Sequence, residues 1–348
     1  MQTVYLVFLS AALLTSQATA AFDFDSFSIF HNQNSINTWA SKMHNIFDYK
    51  NQASLINLCG TKINENDSLS DFKSGNFKPS FPNRLLQTLP ANYDLRSVYP
   101  SCWSISYIRS QAKCGSCWAV ASMSSLSDRF CIKKSTANDL QQRQFSIEDV
   151  LECCSKAQCG SGPNLGCRGG YLTGGFVYAL NNGVSTGENY GNYTTCKPYF
   201  LSTTANLAPA PSCSSSCTNQ DLYTTPYADD LVKISGYTFL KGNSLEQTNI
   251  NMQNAIYARG SILTMMYVYM DFFTYSSGVY QQSSTTLAGG HAIRIIGWGN
   301  TVVAGVSVNY WIIANSWGPN WGLNGFFWMI RGVNNCNIEG QPIEGLII

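Results

Sequence analysis

Two cysteines stand three positions apart in the stretch QAKCGSCWAV, residues 111–120. Cys114 and Cys117 could form a redox couple, supply half of a zinc site, or combine one bonded cysteine with one reactive thiol. A redox couple of this kind follows a strand in a βαβ unit, whereas here the preceding residues are polar and the following ones are typical of a helix. A zinc site needs a second matched pair, which the cysteines at 153, 154, 159 and 167 do not convincingly supply.

The third arrangement makes Cys117 the first residue of a helix. The positive end of a helix favours a thiolate, and a nearby imidazolium would favour it further. The chain has three histidines, of which His31 and His44 lie near the N-terminus, so His291 is the one imidazole left for the rest of the sequence. This argues against a multi-histidine metal site. A lone histidine before an apolar strand is, however, about as often a buried structural residue as a functional one.

The elements that would position these residues change character along the chain. Small and apolar residues without proline or glycine predict a helix over 117–134. After about Val232, the stretches HAIRIIGWG, NYWIIANSW and GFFWMIRG predict strands separated by Gly, Asn and Pro. Helices first and strands later indicate an α+β protein with two subdomains and a cleft between them. Nearer the N-terminus, apolar residues at helical spacing predict an amphipathic helix that includes Ile36, Trp39, Ala40, Met43 and Phe47.

Composition points to a secreted protein held by disulfides. The chain has 348 residues, a net charge of +1 and only 12% charged residues, which gives no reason to expect nucleic acid or an anionic membrane as a partner. Residues 1–20 contain a short apolar run that ends in Ala18-Thr19-Ala20, which predicts a signal peptide and no membrane span. An odd number of cysteines, 13, suggests at least one free thiol. Sequons at Asn66 and Asn192 allow glycosylation.

Several motifs together resemble the papain family of cysteine peptidases. CGSCW at 114–118 matches the family signature, and GCRGGY, GGHAIRIIGWG and YWIIANSWGPNWG follow in family order at 166–171, 289–299 and 310–322. The cathepsin B-like branch is indicated by the adjacent cysteines 153 and 154 and by SDRFCI, TCKPY and SGVY. NTWAS at 37–41 and LCGT at 58–61 resemble the pro-segment of that branch. The resemblance covers nearly the whole chain from Leu89.

The resemblance implies a zymogen with three parts: a signal peptide (1–20), an inhibitory propeptide (21–88) and a papain-like peptidase domain (89–348). The expected fold has a helical left domain, a β-barrel-like right domain and an active-site cleft between them. Cys117 would be the nucleophile and His291 its imidazolium partner, while Asn315 would orient the ring and Trp317 would shield their hydrogen bond. Gln111 and the backbone N–H of Cys117 would form the oxyanion hole.

The resemblance also implies a disulfide pattern and a substrate-binding surface. Cys59, Cys117 and Cys336 would stay unpaired, and the bonds would be Cys102–Cys131, Cys114–Cys167, Cys153–Cys213, Cys154–Cys159 and Cys196–Cys217. The backbone of Gly169 and Gly170 would pair with an extended substrate. By matched position, the S2 pocket would be lined by Leu172, Met265, Ala292 and Gln341.

Two departures from cathepsin B bear on specificity. The stretch Cys196–Cys213 is shortened and has no histidine, so the occluding loop with its His-His pair is missing; this predicts endopeptidase activity with little or no removal of C-terminal dipeptides. Gln341 replaces an acidic residue, so the S2 pocket should prefer an apolar side chain, because burying an unpaired arginine is costly. Alternatively, Leu172 and Met265 are simply core residues.

The expected partners are peptide or protein substrates, the chain's own propeptide and cystatin-like inhibitors, with no cofactor or metal. The expected location is a lysosome-like vacuole or the extracellular space. A non-catalytic binding protein on the same scaffold and a thiol oxidoreductase that uses Cys114 and Cys117 are the competing hypotheses. The state of those two cysteines separates the oxidoreductase from the peptidase.

Overall fold

The computed structural model describes residues 21–33, 37–62, 89–137, 142–154, 159, 166–202, 211–218 and 221–348. We call residues 21–62 the N-terminal segment and residues 89–348 the C-terminal region. The predicted signal peptide, Ile36, the sequon at Asn66 and residues 63–88 lie outside the described residues. Among the helices that the structure describes, none combines the length and apolarity needed to cross a membrane.

The helices lie mainly in the first half of the C-terminal region. In chain order the helices are α1 (Phe24–Gln33), α2 (Gln52–Ile56), α3 (Leu95–Val98), α4 (Trp103–Ser106), α5 (Cys117–Thr136), α6 (Ile147–Cys153), α7 (Gly174–Asn181), α8 (Tyr227–Asp230) and α9 (Leu245–Arg259). Short 3-10 helices cover Gly166–Arg168, Met270–Thr274 and Asn335–Asn337.

The strands lie mainly in the second half, as the sequence predicts. In chain order the strands are β1 (Trp39–Ser41), β2 (Tyr93–Asp94), β3 (Ile234–Phe239), β4 (Ile262–Tyr269), β5 (Tyr275–Tyr280), β6 (Leu287–Val303), β7 (Val306–Ala314), β8 (Phe326–Ile330) and β9 (Ile343–Ile347). Helices first and strands later place the protein in the predicted α+β class.

The central helix of the molecule is α5. Its 20 residues contain no glycine or proline, and its last turn carries Lys133 and Lys134, which suit the negative end of a helix. Every residue from Cys117 to Ile132 is buried, because α5 packs against helices α4, α6 and α7 on one side and strands β4, β6 and β9 on the other. The helix therefore presents its first residue inside the molecule, between the helical half and the sheet.

The sheet has the strand order β1-β5-β8-β7-β6-β4-β9-β3, with β2 paired to β6. The pair β5–β8 is parallel and the other pairs are antiparallel. The expected β-barrel-like right half is corrected in this respect: the order is an open path, and no pairing among the described strands joins β1 to β3. β1, from the N-terminal segment, extends this path by pairing with the edge of β5.

The helix predicted around Trp39 is wrong, because residues 39–41 form the strand β1. Thr38 exchanges backbone and side-chain hydrogen bonds with Val279, and the Trp39 indole donates to the carbonyl of Gln281 at 2.9 Å. Trp39 is buried against Tyr275 and Tyr280. The apolar spacing therefore reflects docking onto a sheet edge, whose ladder hydrogen bonds outweigh helix propensity.

The apolar core forms two clusters, one on each side of the molecule. The cluster on the sheet side includes Phe24, Trp39, Leu55 and Leu58 of the N-terminal segment together with the aromatic residues of the C-terminal region. The cluster on the helical side surrounds α5. The described N-terminal segment thus contributes its apolar side chains to the core of the C-terminal region.

Candidate active site

Cys117 begins α5 and has no disulfide partner. Its neighbour in the motif, Cys114, is bonded to Cys167 with Cα atoms 4.6 Å apart. The pair therefore cannot act as a dithiol–disulfide couple, which removes the oxidoreductase hypothesis for this motif. The zinc alternative meets the same obstacle, because cysteines 153, 154, 159 and 167 are all in disulfides.

His291 and Asn315 are brought together by neighbouring strands. His291 lies in β6 and Asn315 directly follows β7, and the antiparallel pair Arg294–Ala314 sets their register. The Nε2 atom of His291 lies 2.8 Å from Oδ1 of Asn315. The Trp317 ring lies over this pair, with its centroid 5.0 Å from that of the imidazole. All three side chains are buried, so their mutual contacts are weakly screened.

The thiol of Cys117 ionises more readily than an ordinary buried cysteine. Burial raises its pKa, while the charge and hydrogen bonding of His291 and the hydroxyl of Thr61 lower it, to about 7. Cys59 and Cys336, the other unpaired cysteines, have raised pKa values, chiefly through burial. The structure thus singles out one thiol that is partly ionised near neutral pH, which is the form that acts as a nucleophile.

The Gln111 side chain is fixed at both ends of its amide. Ser316 donates its hydroxyl to Oε1 at 2.7 Å, and Nε2 donates to the carbonyls of Cys114 and Leu58 at 2.7 and 3.0 Å. Gln111 is fully buried. The amide N–H₂ group of Gln111 is therefore a preorganised donor, and a backbone carbonyl of the N-terminal segment occupies it.

The N-terminal segment runs between the helical half and the sheet, and three backbone hydrogen bonds hold it there. Gly170 donates to the carbonyl of Gly60 at 2.9 Å, and Lys62 donates to the carbonyl of Gly170 at 2.9 Å. Thr61 donates to the carbonyl of Gly290 at 3.0 Å, and its hydroxyl oxygen lies 3.2 Å from Sγ of Cys117. Gly170 belongs to the helical half and Gly290 to β6, so this extended stretch bridges both walls of the cleft.

The close fit of this stretch depends on glycine. A Cβ atom on Gly60 would lie 1.9 Å from the carbonyl oxygen of Gly115, which precedes the nucleophile motif's second cysteine by two positions. On the opposite wall, a Cβ on Gly289 would lie 2.8 Å from Cβ of Cys59. Backbone meets backbone at Gly60, so no side-chain movement could relieve a larger residue there.

The predicted substrate-binding residues fall into three places. Gly169 and Gly170 adjoin the N-terminal segment, since a Cβ on Gly169 would lie 2.5 Å from the carbonyl oxygen of Gly60. Leu172, Met265 and Ala292 are buried in the same cluster as Cys117, and Met265 faces Ala292 across β4 and β6. Gln341 is half-buried beside β9.

The structure forms the same five disulfides that the family resemblance implies. These are Cys102–Cys131, Cys114–Cys167, Cys153–Cys213, Cys154–Cys159 and Cys196–Cys217, which leave Cys59, Cys117 and Cys336 unpaired. Three of the bonds lie wholly within the Cys153–Cys217 stretch, so covalent links hold the loops around α6 and the start of the shortened insertion.

One further cluster has the spacing of metal ligands. The oxygen and sulfur atoms of Asp149, Glu152 and Cys153 lie within 4.8 Å of one another. The Cys153 sulfur is in a disulfide, and the Lys197 ammonium binds both carboxylates, at 3.1 Å and 2.5 Å. The ligand atoms of the cluster are therefore already engaged in an ion-pair network and a disulfide, which suits a structural role.

Sequence reasoning missed three groups that the structure brings to the site. Thr61 contacts the thiol, the Leu58 carbonyl accepts from Gln111, and Ser316 holds the far end of that amide. The LCGT motif marks the right stretch of the N-terminal segment, but nothing in its spacing indicates that it reaches Cys117. Ser316 lies between two residues that the sequence did single out, Asn315 and Trp317.

Comparisons with known proteins agree with this geometry. The model of the family described as papain family cysteine protease matches residues 89–346. "Cathepsin B-like cysteine proteinase 4" of Caenorhabditis elegans is 40% identical over 273 residues, which cover 74% of this chain and 76% of that protein. "Gut-specific cysteine proteinase" of the same organism is 37% identical over 314 residues, which cover 86% and 89% of the two chains.

Solved structures give the same result for the fold. The structure described as "proCathepsin B S9 from Trypanosoma congolense" superposes with a TM-score of 0.73 at 30% sequence identity, and the match covers 92% of this chain and 97% of that one. The described N-terminal segment, the central helix and the sheet therefore share the arrangement of a protein solved with its pro-region.

Proposed function

The chain belongs to the papain family of cysteine proteases, and we propose that it is a cathepsin B-like endopeptidase synthesised as a latent precursor. The observation that carries this proposal is the unpaired Cys117 at the start of a buried helix, with a pKa near 7 beside the hydrogen-bonded pair of His291 and Asn315. A thiolate, an imidazole and an amide that orients the imidazole are the groups that nucleophilic attack on a peptide requires.

In the proposed reaction, the Cys117 thiolate attacks the carbonyl carbon of the scissile peptide bond. The C–N bond then breaks, and His291 gives its proton to the leaving amine as a general acid. Water attacks the resulting thioester, gives a proton back to His291, and releases the carboxylic acid and the thiolate. Because Nε2 of His291 is engaged with Asn315, Nδ1 is the nitrogen available for these transfers.

The oxyanion would be stabilised by Nε2 of Gln111 and the backbone N–H of Cys117. This is supported by the orientation of Gln111, whose carbonyl end is held by Ser316 while its N–H₂ end points to a carbonyl of the N-terminal segment. Removing one donor of this kind typically raises the barrier by about 3 to 4 kcal/mol. Gln111→Ala should therefore retain thiol labelling and lose most turnover.

Latency is supported by what occupies the cleft. The groups of Gly170 and Gly290 that would pair with a substrate backbone are engaged by residues 60–62, and the Leu58 carbonyl occupies the Gln111 donor. The group in contact with the Cys117 thiol is the side-chain hydroxyl of Thr61, and not the carbonyl carbon of a peptide bond that the thiol could attack. We infer that residues 21–88 form an inhibitory propeptide that must leave before a substrate can bind.

Endopeptidase rather than dipeptide-removing activity is inferred from the shortened stretch between Cys196 and Cys213. It contains no histidine that could bind a substrate's C-terminal carboxylate, and His291 is the one histidine beyond residue 44. An open primed side would admit long substrates. Cleavage of an N-terminally blocked peptide should therefore fall at internal bonds, whereas prominent release of C-terminal dipeptides would contradict the inference.

An apolar S2 pocket is the specificity that the geometry favours. Leu172, Met265 and Ala292 supply apolar surface beside Cys117. The uncharged Gln341 stands where the S2 pocket of cathepsin B has an acidic residue. A P2 scan should rank leucine or valine above arginine, because an arginine would be desolvated without a partner. A preference for arginine would refute this assignment.

The remaining partners and the location follow from the same proposal. Peptide or protein substrates, the propeptide and cystatin-like inhibitors would compete for one cleft. Secretory targeting would place the enzyme in a lysosome-like vacuole or outside the cell, and the exposed sequon at Asn192 gives a check. Secreted protein should lose mass on treatment with an N-glycosidase, and the Asn192→Gln variant should lose less.

The central experiment measures peptide turnover by the full chain before and after removal of residues 21–88. We expect little activity before removal, a large increase after it, and none in a Cys117→Ala variant treated in parallel. Cys336→Ala serves as a matched control, because it removes the other unpaired thiol of the C-terminal region. Turnover that survives Cys117→Ala, or full binding of peptides without any cleavage, would overturn the proposal.

A further inference from the structure

One buried hydroxyl contacts the backbone on both sides of the proposed oxyanion hole. The Tyr199 side chain is 2% exposed. Its hydroxyl donates to the backbone carbonyl of Gln111 at 3.0 Å and lies 2.9 Å from the hydroxyl of Ser116. Gln111 carries one proposed donor of the hole, and Ser116 directly precedes Cys117, whose N–H is the other. A single atom thus joins the two chain positions that must converge.

Ser116 uses its hydroxyl in an unusual way. It is the residue before α5, where a serine side chain ordinarily accepts a hydrogen bond from the first turn of the helix. Here the side chain makes no such bond, and only its backbone carbonyl receives the first helical N–H groups, from Ala119 and Val120. The hydroxyl is committed to Tyr199 instead, so the structure forgoes a common stabilising contact for this one.

The segment that carries Tyr199 is itself strongly held. The backbone N–H of Tyr199 donates to the backbone carbonyl of Glu188 at 2.8 Å, and the backbone N–H of Lys197 donates to the backbone carbonyl of Thr186 at 2.8 Å. The Cys196–Cys217 disulfide and the buried ammonium of Lys197 fix the start of the segment. A hydroxyl on such a support can act as a reference point for groups that it touches.

The Gln111 backbone is hydrogen-bonded on both sides. Its N–H donates to the carbonyl of Ser316 at 2.8 Å, which ties the residue to the sheet side. Tyr199 ties its carbonyl to the helical side. The two bonds hold the Gln111 backbone from opposite walls, so loss of the Tyr199 bond removes the link of this carbonyl to the helical side, while Ser316 still holds the side-chain amide.

We propose that Tyr199 is a positioning residue for catalysis, whose hydroxyl holds Gln111 and the start of α5 at the spacing that the oxyanion hole needs. This rests on the proposed peptidase function. The hydroxyl does not touch the thiol–imidazole pair, so it acts on stabilisation of the reaction intermediate and leaves formation of the thiolate unchanged. Oxyanion donors lose much of their effect when displaced by fractions of an ångström.

The test replaces Tyr199 by phenylalanine in the full chain, activated in the same way as wild type and normalised by titration of active sites. We expect kcat to fall about tenfold, less than for removal of a donor itself, while KM stays within about twofold. The rate of Cys117 alkylation by iodoacetamide, which needs a thiolate and no oxyanion hole, should also stay within about twofold. Tyr227→Phe is the matched control, since it deletes a hydroxyl that donates to Asp149 at 2.8 Å.

A double-mutant cycle with Gln111→Ala separates positioning from general destabilisation. If Tyr199 acts through the oxyanion hole, Tyr199→Phe should lower kcat much less in the Gln111→Ala background than in wild type. Additive losses, an unchanged kcat in the single variant, or an equal loss of alkylation and turnover would each overturn the proposal. Should Tyr199→Phe fail to fold, Ser116→Ala removes one of the two contacts and must lower kcat with alkylation unchanged.

The wild-type chain distinguishes the two levels of the argument. If the activated wild type does not cleave peptides, the proposed function fails before Tyr199 is tested. If wild type cleaves and Tyr199→Phe matches it in kcat, only the positioning role fails.

Discussion

The N-terminal segment and the C-terminal region bury different kinds of ionisable side chain. The segment buries two histidines, His31 and His44, and burial lowers the pKa of both. Among its described residues, the C-terminal region has four carboxyl groups whose pKa values burial raises, namely Glu148, Glu152, Glu188 and Asp271. Glu344 is the exception, because Arg129 and Arg259 outweigh its burial and lower its pKa. Each histidine resists taking up a proton in place, whereas each of the four acids resists losing one.

The difference predicts opposite responses to acid. A base with a lowered pKa binds protons more readily once it is released, so acid favours release of the segment. An acid with a raised pKa binds protons more readily in the folded state, so acid favours the folded C-terminal region. The two histidines should therefore favour release of the segment as the pH falls, while the four acids with raised pKa values should favour the folded C-terminal region.

The largest effect should come from Gly60→Ala, which attacks the segment by shape alone. The added Cβ would lie 1.9 Å from the Gly115 carbonyl oxygen. Overpacking of this kind costs about 1 to 3 kcal/mol, which weakens docking about 5- to 150-fold. In the uncleaved variant, a peptide-based thiol reagent should therefore label Cys117 about 5- to 150-fold faster than in the uncleaved wild type at neutral pH. Gly236→Ala is the control, because a Cβ there meets only a Leu346 methyl group at 3.9 Å.

If the Gly60→Ala chain stays as latent as wild type, the cleft stretch does not limit access, and latency must come from elsewhere in the segment. The activated enzyme offers a second comparison, since its turnover should be the same whether the precursor carried glycine or alanine. A defect that persists after removal of residues 21–88 would instead indicate misfolding of the C-terminal region.

The next effect concerns His44, which faces the C-terminal region directly. Its Nε2 lies 2.7 Å from the Tyr275 carbonyl, and the other groups around it are the Asn320 carbonyl, the Tyr49 hydroxyl and the Lys42 ammonium. Desolvation, and to a lesser extent Lys42, holds the pKa of His44 below 6.5. The contribution of His44 to docking is therefore fully present above about pH 6.5 and is lost as the pH falls through the lowered pKa.

His44→Gln keeps a hydrogen-bond donor and cannot take up the proton. We expect the pH of half-maximal segment release to fall by about half a unit, measured by labelling of Cys117 in the uncleaved chain. His31→Gln should do less, because His31 bonds to Trp39 within the segment at 3.1 Å. Release at an unchanged or higher pH in both variants would show that other groups sense the acid.

The third effect tests the other side of the comparison through Glu148. Burial raises the pKa of this carboxyl to about 8, while the backbone N–H of Phe200 counteracts it. The folded state therefore keeps its proton from about pH 4.5 to 8, where the unfolded chain has lost it, so stability declines as pH rises through that window. Glu148→Gln, which mimics the neutral acid, should flatten this decline.

The measurement is the thermal midpoint of the processed Cys117→Ala protein at pH 5 and pH 7.5. The protein with Glu148 should have a lower thermal midpoint at pH 7.5 than at pH 5. The Glu148→Gln variant should show a decrease that is smaller by about 2 to 4 °C. Glu246→Gln is a control for charge alone, since that side chain is exposed. A loss of equal size in both proteins would remove Glu148 from the comparison.

Sequence alone predicts the chemistry of the C-terminal region better than the contacts of the segment. The helix that starts at Cys117 and the strands around His291 and Asn315 follow from local patterns that tertiary packing reinforces. Trp39 is the counterexample, because its spacing suits a helix while its hydrogen bonds belong to a strand added to β5. Edge pairing joins residues more than 200 positions apart, and no local pattern encodes such a partner.

The same limit applies within the site. Gln111, Cys117, His291 and Asn315 are recognisable from residue type and family order. The contacts of the Thr61 hydroxyl, the Leu58 carbonyl and the Tyr199 hydroxyl depend on how three distant stretches meet, which local spacing does not encode. The place of β1 in the strand order likewise depends on where it docks, which the strand pattern of the C-terminal region cannot indicate.

The smallest effect should come from Thr61→Val, which removes one hydroxyl where the two regions meet. The hydroxyl lies 3.2 Å from Sγ and lowers the pKa of Cys117. Without it, the pKa in the uncleaved chain should rise by about 0.4 unit, since the low end of the contribution of one hydrogen bond is about 0.5 kcal/mol and one pKa unit corresponds to about 1.4 kcal/mol. The pH profile of iodoacetamide labelling measures this, because the raised pKa values of Cys59 and Cys336 keep those thiols slow. After removal of the segment, both proteins should give the same pH profile. A difference that persists would mean that residue 61 influences how the C-terminal region folds. The segment and the C-terminal region could then not be treated as separate contributors to the response to pH.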